Sequence, residues 1–318
     1  MKARLAMTVG DPRGIGPEIV AKALADSRVG ERCDIVVIGP EESGVQVGES
    51  VGRWRPEGGA SLAGKLSGLA IERAVQMAMA GDVDGIVTAP IDKGALHAGG
   101  YDYPGHTEML GHLTGARVAM MLASDKLRVV LATTHIPLHD VVEKLTAESI
   151  TVAARLTREG LRSWFGIAEP RIALCALNPH AGDGGRFGSE DSKILAPAAR
   201  AAGIDGPFPA DTVFVRAMRG EFDAVIAPYH DVGMTAIKVA SFGSAVNVTL
   251  GLPFPRTSPD HGTALDIAGL DRADPSSMIA ATLLCASIAV RGQSRGGRRA
   301  NADRLTETRS SGRSSRAP

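Results

Sequence analysis

Short apolar, β-branched runs alternate along this chain with longer stretches in which apolar residues recur every three to four positions. The runs predict strands over residues 4–9, 34–38, 84–88, 117–122, 127–133, 171–177, 223–227 and 245–249. The longer stretches predict helices over 17–27, 62–80, 106–113, 147–165, 189–202, 261–268 and 275–290. Strands separated by helices pair in parallel, because a parallel crossover needs a dozen or more residues and a helix supplies them. The pattern therefore predicts an α/β protein: a largely parallel sheet with helices on both faces. Residues 44–59, rich in glycine and polar side chains, read as an exposed connection, and no internal repeat is visible. From about Arg291 the chain is arginine, serine and glycine with almost no apolar content. Such a segment cannot offset its ordering entropy, so a disordered basic tail is expected over 291–318.

Composition adds boundaries to this picture. A chain of 318 residues can form one large or two ordinary domains. With 44% hydrophobic and 22% charged residues it is an ordinary globular protein able to support a cleft. The zero net charge conceals a division: eight arginines from Arg291 onward stand against Asp303 and Glu307, which leaves the body mildly acidic. An acidic body gives no reason to expect nucleic-acid binding; an RNA-binding tail is the lesser alternative. Cys33, Cys175 and Cys285 are widely spaced and read as buried, reduced thiols. No apolar run is long enough to span a bilayer, and Met1 leads straight into a strand without signal-peptide organisation. The expectation is a cytoplasmic protein without membrane or nucleic-acid partners.

Candidate chemistry collects at strand ends, where α/β folds hold their ligands. His135, His180 and His230 each close a strand-like run and are followed by turn residues. Their separation is too wide for a local motif, and neutral imidazoles in one topological position suit a divalent transition metal. The first strand leads into Thr8-Val-Gly-Asp-Pro-Arg-Gly-Ile-Gly-Pro-Glu18, a strand-loop-helix outline that fits phosphate binding or, equally, a tight structural loop lining a cleft. The third glycine of the dinucleotide fingerprint is missing and no acidic residue ends the second strand, so a standard Rossmann site is not expected.

Eight ordered blocks carry a resemblance over residues 4 to 290: Gly-Asp-Pro-Arg-Gly-Ile-Gly-Pro-Glu at 10–18, Thr-Ala-Pro-Ile-Asp-Lys at 88–93, Pro-Gly-His-Thr-Glu at 104–108, Ala-Thr-Thr-His-Ile-Pro-Leu at 132–138, Leu-Asn-Pro-His-Ala-Gly at 177–182, Gly-Pro-Phe-Pro-Ala-Asp-Thr at 206–212, Tyr-His-Asp at 229–231, and the run from Val246 to Ala264. The chain resembles the 4-hydroxythreonine-4-phosphate dehydrogenase family of pyridoxine biosynthesis. The resemblance implies two α/β/α domains around a cleft, similar to isocitrate and isopropylmalate dehydrogenases. Residues 1–100 with 255–290 would form the terminal, cofactor-side domain and 101–254 the central one.

It further implies a homodimer, in which His135, His180 and His230 bind a divalent metal at a site shared between subunits, and in which His106, Thr107, Lys238, Asn247 and Arg256 bind a small phosphorylated substrate. The side chains suit that assignment: Lys238 and Arg256 offer cationic donors for a phosphomonoester, Asn247 a directional amide, and His106 and Thr107 open a helix whose N–H groups favour an anion. The implied reaction is NAD-dependent oxidation of a secondary alcohol followed by decarboxylation, with NADP as the alternative cofactor. Asp211 and Asp231 are candidate bases; Asp231 could instead orient a ligand imidazole and Asp211 cap a helix. Gly262 and Thr263 are the candidate cofactor residues, in a segment similar to the adenosine-side loop of the β-decarboxylating dehydrogenases. Zinc, cobalt and nickel are favoured by imidazole affinity and magnesium by abundance. Val232 stands where the family usually has glutamine after Tyr-His-Asp. Related substrates such as 4-phosphothreonate or 4-phosphoerythronate fit the same residues, and an inactive metal- and phosphate-binding homologue is the non-enzyme alternative.

Overall fold

The computed structural model describes residues 2–241 and 244–292. Eleven strands among these residues form one continuous sheet: β1 (Ala3–Thr8), β2 (Cys33–Glu41), β3 (Glu49–Arg53), β4 (Gly85–Thr88), β5 (Ala119–Ala123), β6 (Arg128–Leu131), β7 (Ile172–Cys175), β8 (Asp205–Phe208), β9 (Ala224–Ala227), β10 (Val246–Leu250) and β11 (Arg256–Pro259). Their order is β3-β2-β1-β4-β11-β10-β5-β6-β9-β7-β8. Pairing is parallel from β3 to β11 and again from β6 to β8. The three pairings between β11 and β6 are antiparallel. Two parallel blocks of opposite direction thus meet at a central seam.

Side-chain alternation decides what covers each face of that seam. Val246, Val248 and Leu250 of β10, Met121 of β5 and Val87 of β4 enter one core with residues of the helices Gly16–Ala25, Ala147–Ser163 and 276–292. The opposite face carries two separate cores. One packs Ala70, Ile71 and Ala74 of the helix Gly59–Ala80 on Ala6 and Ile86; the other packs Val213 and Phe214 of the helix Ala210–Met218, and Ile237 of the helix His230–Ser241, on Leu122 and Val225. Full burial of each large aliphatic side chain contributes about 1.5–3 kcal/mol. The strip between the two cores, crossed by β10 and β11, carries polar side chains and becomes the floor of a cleft.

The eight predicted strands all form. The three unanticipated ones have little apolar alternation to betray them. β3 and β8 are the sheet's edges, where short polar or proline-bearing strands are tolerated; β3 lies within the stretch read as a connection. β11, Arg-Thr-Ser-Pro, owes its extended form to pairing on both sides. Residues 261–268 do not form the predicted helix: the Thr263 carbonyl is taken by the Ile15 N–H at 2.9 Å, Ala264 has a φ of 41°, and Leu265 lies half exposed with no face to bury. The predicted helix over 189–202 is a π turn, Asp191–Leu195, followed by the helix Ala196–Ala202; Pro197 withholds an N–H from the ladder there. The three cysteines are buried free thiols, and burial pushes Cys175 and Cys285 up to about 12, which keeps them protonated. No helix among the described residues is long and apolar enough to cross a membrane. The basic tail lies outside the described residues, apart from Arg291 and Gly292 at the end of the last helix.

Candidate active site

A cleft of about 500 Å³ opens over the polar strip. Cross-strand register aligns Leu122, Asn247 and Ser258 in one row and sets Arg256 beside Ile86. Arg256 is 1% exposed. Its Nη1 donates to Thr249 Oγ1 at 3.0 Å and its Nη2 to Thr88 Oγ1 at 2.5 Å, while Nε has no partner. Burial pushes the guanidinium down to about 9, which still leaves it charged at neutral pH. Asn247 Oδ1 and His106 Nε2 are likewise buried and unpaired. Leaving a buried polar atom without a partner costs about 1–3 kcal/mol. A polar ligand in this one cavity would give all three a partner. His106 and Thr107 open the helix His106–Thr114, so unbonded backbone N–H groups lie on the same side. Burial first, and then the charge of Arg256, hold His106 well below its ordinary pKa, so its ring is neutral.

The wall of the cleft belongs to two histidines. β6 and β9 pair in parallel, and Ala132 N–H to Ala227 O (2.9 Å) with Thr133 Oγ1 to Pro228 O (2.7 Å) extends their contact beyond the strand ends. The segments bearing His135 and His230 therefore leave the sheet side by side, and their ring centroids lie 5.5 Å apart. His230 Nδ1 lies 2.7 Å from Asp231 Oδ1, an arrangement that fixes the tautomer and leaves Nε2 for a ligand. His135 is held below its ordinary pKa by burial and then by Lys93, which favours the neutral, metal-binding form. Val232, where the family's amide would stand, packs against the core of the second block.

His180 stands apart from this pair and does not line the cleft. It begins a run of six residues, 180 to 185, all with positive φ. His180, Ala181 and Asp183 are not glycines, and each such residue costs about 1–2 kcal/mol. Among the described residues no three His, Cys, Asp or Glu side chains gather as a metal site. Within one chain, then, two of the three candidate ligands come together.

Lys238 lies on the cleft wall, its Nζ 3.4 Å from the Asp260 carbonyl. Gly262 lines the mouth, and a Cβ there would meet nothing within 4 Å, so the open space beside it is not claimed by the fold. Thr263 packs on Gly14, which joins the candidate cofactor segment to the glycine-rich loop after β1. Asp211 is exposed in the first turn of its helix, with no side-chain cap bond, and does not line the cleft. Lys93 and Glu108 do line it, beside His135, although sequence reasoning gave them no role. The signal was present: each ends one of the quoted blocks.

Both the sequence and the fold are similar to those of known proteins. The sequence pattern of the family described as "Pyridoxal phosphate biosynthetic protein PdxA" matches residues 22–285. A 4-hydroxythreonine-4-phosphate dehydrogenase of Beijerinckia indica is 46% identical over 315 residues, covering 86% of this chain and 91% of that protein. A D-threonate 4-phosphate dehydrogenase of Cupriavidus necator is 43% identical over 328 residues, covering 90% and 97%. The crystal structure of a 4-hydroxythreonine-4-phosphate dehydrogenase from Klebsiella pneumoniae superposes with a TM-score of 0.80 at 38% identity, covering 91% of this chain and 98% of that one.

Proposed function

Because the chain belongs to the family of the pyridoxal phosphate biosynthetic protein PdxA, we propose that it is a dehydrogenase that oxidises 4-hydroxythreonine 4-phosphate to its 3-keto acid, which then decarboxylates to 3-amino-2-oxopropyl phosphate. In the overall reaction a hydride leaves C3 for NAD, the hydroxyl proton goes to a base, the carboxyl carbon departs as CO2, and the bonding pair it leaves is protonated. The observation that carries the reading is the set of unpaired buried atoms, Arg256 Nε, Asn247 Oδ1 and His106 Nε2, around one cleft. A phosphomonoester supplies acceptors for Arg256 Nε and the N–H donors there, while Asn247 Oδ1, itself an acceptor, calls for a donor such as a substrate hydroxyl or ammonium group.

The residues fit the groups such chemistry needs. When bound, a nicotinamide accepts the hydride and a divalent metal withdraws electron density as a Lewis acid. His135 and His230 would hold the metal, with His180 contributed by a second copy of the chain in a homodimer; Gly262 and Thr263 would border the cofactor. Arg256, Asn247 and Lys238 anchor the phosphate end and so fix the distance from it to the reacting carbon. Asp231 keeps His230 in its ligand tautomer, and its contact with that ring favours this positioning role over direct proton transfer. Lys93 and Glu108 border His135 and are available to the substrate's carboxylate and ammonium groups.

The relative from Cupriavidus necator favours one alternative substrate, a 4-phosphorylated threonate. A panel of 4-hydroxythreonine 4-phosphate, D-threonate 4-phosphate and their dephosphorylated forms, assayed by NADH absorbance across several divalent metals, separates them. The amino acid phosphate is expected to have the highest kcat/KM and the dephosphorylated compounds almost none. Turnover indifferent to the phosphate would refute the anchoring role.

A further inference from the structure

The loop that carries His180 is strained and exposed, yet it is closed at its base by one buried carboxylate. Asp191 is 2% exposed and is the first residue of the π turn Asp191–Leu195. Its Oδ1 accepts from Leu177 N–H at 2.8 Å; its Oδ2 accepts from Asn178 N–H at 3.0 Å and from Asn178 Nδ2 at 2.9 Å. Asn178 Nδ2 also reaches Glu190 Oε2 at 2.9 Å. The side chain of Asp191 thus ties together the two ends of the segment 177–191. Gly188 permits this: a Cβ there would come 2.8 Å from Asn178 Nδ2. Inside the clasp, Ala181 N–H bonds Asn178 O at 3.1 Å and Phe187 N–H bonds Gly182 O at 3.2 Å, so the left-handed run is continuous with the clasped residues. His180 sits two residues beyond Asn178, with its ring near that of Phe187, which is 50% exposed.

We propose that Asp191 is the positioning residue for His180, its buried carboxylate clasping the loop base so that the left-handed run presents the imidazole outward, to a metal shared with a second copy of this chain. The inference rests on the reading of His180 as a ligand given across a dimer. Other side-chain contacts of the loop are more exposed: the Asp183–Arg186 pair, at 3.5 Å, lies on the exposed side, and the Phe187 ring beside the imidazole is itself half exposed. A π turn at the clasp is consistent with such a role, since these irregularities recur at functional sites.

The test is Co2+ titration of the full-length protein, read by the visible absorption of the bound ion, in the parent, His180→Ala, Asp191→Asn and Asn178→Ala. Asp191→Asn keeps the size of the side chain but turns an accepting oxygen into a donor facing backbone N–H groups. Its Co2+ affinity is expected to fall by about 10- to 100-fold, as for other residues that orient metal ligands, while the affinity for inorganic phosphate and the far-UV circular dichroism stay at the parent's values. Asn178→Ala, which removes only the amide, is expected to show a smaller loss of the same kind and serves if Asp191→Asn does not fold. Loss of Co2+ affinity in His180→Ala but in neither clasp variant overturns the proposal and leaves the shared ligand standing. Unchanged Co2+ affinity in His180→Ala overturns both. Equal losses of Co2+ and phosphate affinity in the clasp variants mean general disruption and also overturn the proposal.

Discussion

Arg256 is fully buried, charged and hydrogen-bonded to two threonines that are themselves buried, with its Nε left without a partner. A charge-assisted bond to a bound anion contributes about 1.5–3 kcal/mol, and about 1.4 kcal/mol is a factor of ten in rate. Arg256→Ala should therefore lower kcat/KM for the phosphorylated substrate about ten- to 150-fold, while the small turnover of the dephosphorylated compound stays level; steady-state kinetics on both compounds checks this. His106 makes a separate prediction. The unfolded chain protonates this ring near pH 6.5, whereas burial and Arg256 hold the folded pKa well below that. In the interval between, the unfolded state binds more protons. Stability is thus fully present above about pH 6.5 and falls as the pH drops toward the folded pKa, by at most about 1.4 kcal/mol per pH unit for this group. His106→Asn should flatten the fall in Tm between about pH 6.5 and pH 5, measured by thermal denaturation; an unaltered slope would contradict the assignment. The importance of both side chains could be read from motif blocks, but their unpaired atoms could not, because pairing is set by which strands cross beneath the cleft.

At the scale of elements, the Gly-Ile-Gly-Pro-Glu loop and the Gly262-Thr263 segment form one unit. Ile15 N–H bonds the Thr263 carbonyl, and a Cβ on Gly14 would stand 2.7 Å from that oxygen. Gly14→Ala should force the two loops apart at a cost of about 1–3 kcal/mol. If this pair borders the nicotinamide cofactor, KM for NAD rises and KM for the phosphorylated substrate does not; thermal melts with initial-rate kinetics give both numbers. The same contact explains why a helix was wrongly expected at 261–268. Its spacing is helical, but the Thr263 carbonyl near its start is committed to Ile15, far earlier in the chain. β11 was hidden for the converse reason: nothing in Arg-Thr-Ser-Pro announces a strand, and its pairing on both flanks creates one. Elements with their own apolar periodicity were legible; those made by distant partners were not.

For the whole molecule, the largest consequence is that two of three candidate ligands meet within a chain. In a homodimer with shared sites, His135→Ala and His180→Ala are each inactive, yet a mixed dimer holds one intact site made from the unaltered His135 of one chain and the unaltered His180 of the other. Random mixing of the two inactive proteins after dissociation should restore about a quarter of parental activity. Sites contained within single chains would restore none. The sheet with helices on both faces was legible from the alternation of strands and helices, but the reversal of direction at the β11-β10-β5-β6 seam was not, since three pairings chosen by tertiary packing decide it. That seam leaves one face uncovered between two cores, and there the chemistry is proposed to occur. The most direct measurement of it is a single reaction mixture with NAD, a divalent metal and 4-hydroxythreonine 4-phosphate labelled in its carboxyl carbon, followed for NADH and for labelled CO2 together. Equal amounts of the two products are expected, both abolished by a chelator. NADH without CO2, or neither product with any metal, would contradict an oxidative decarboxylation at this cleft.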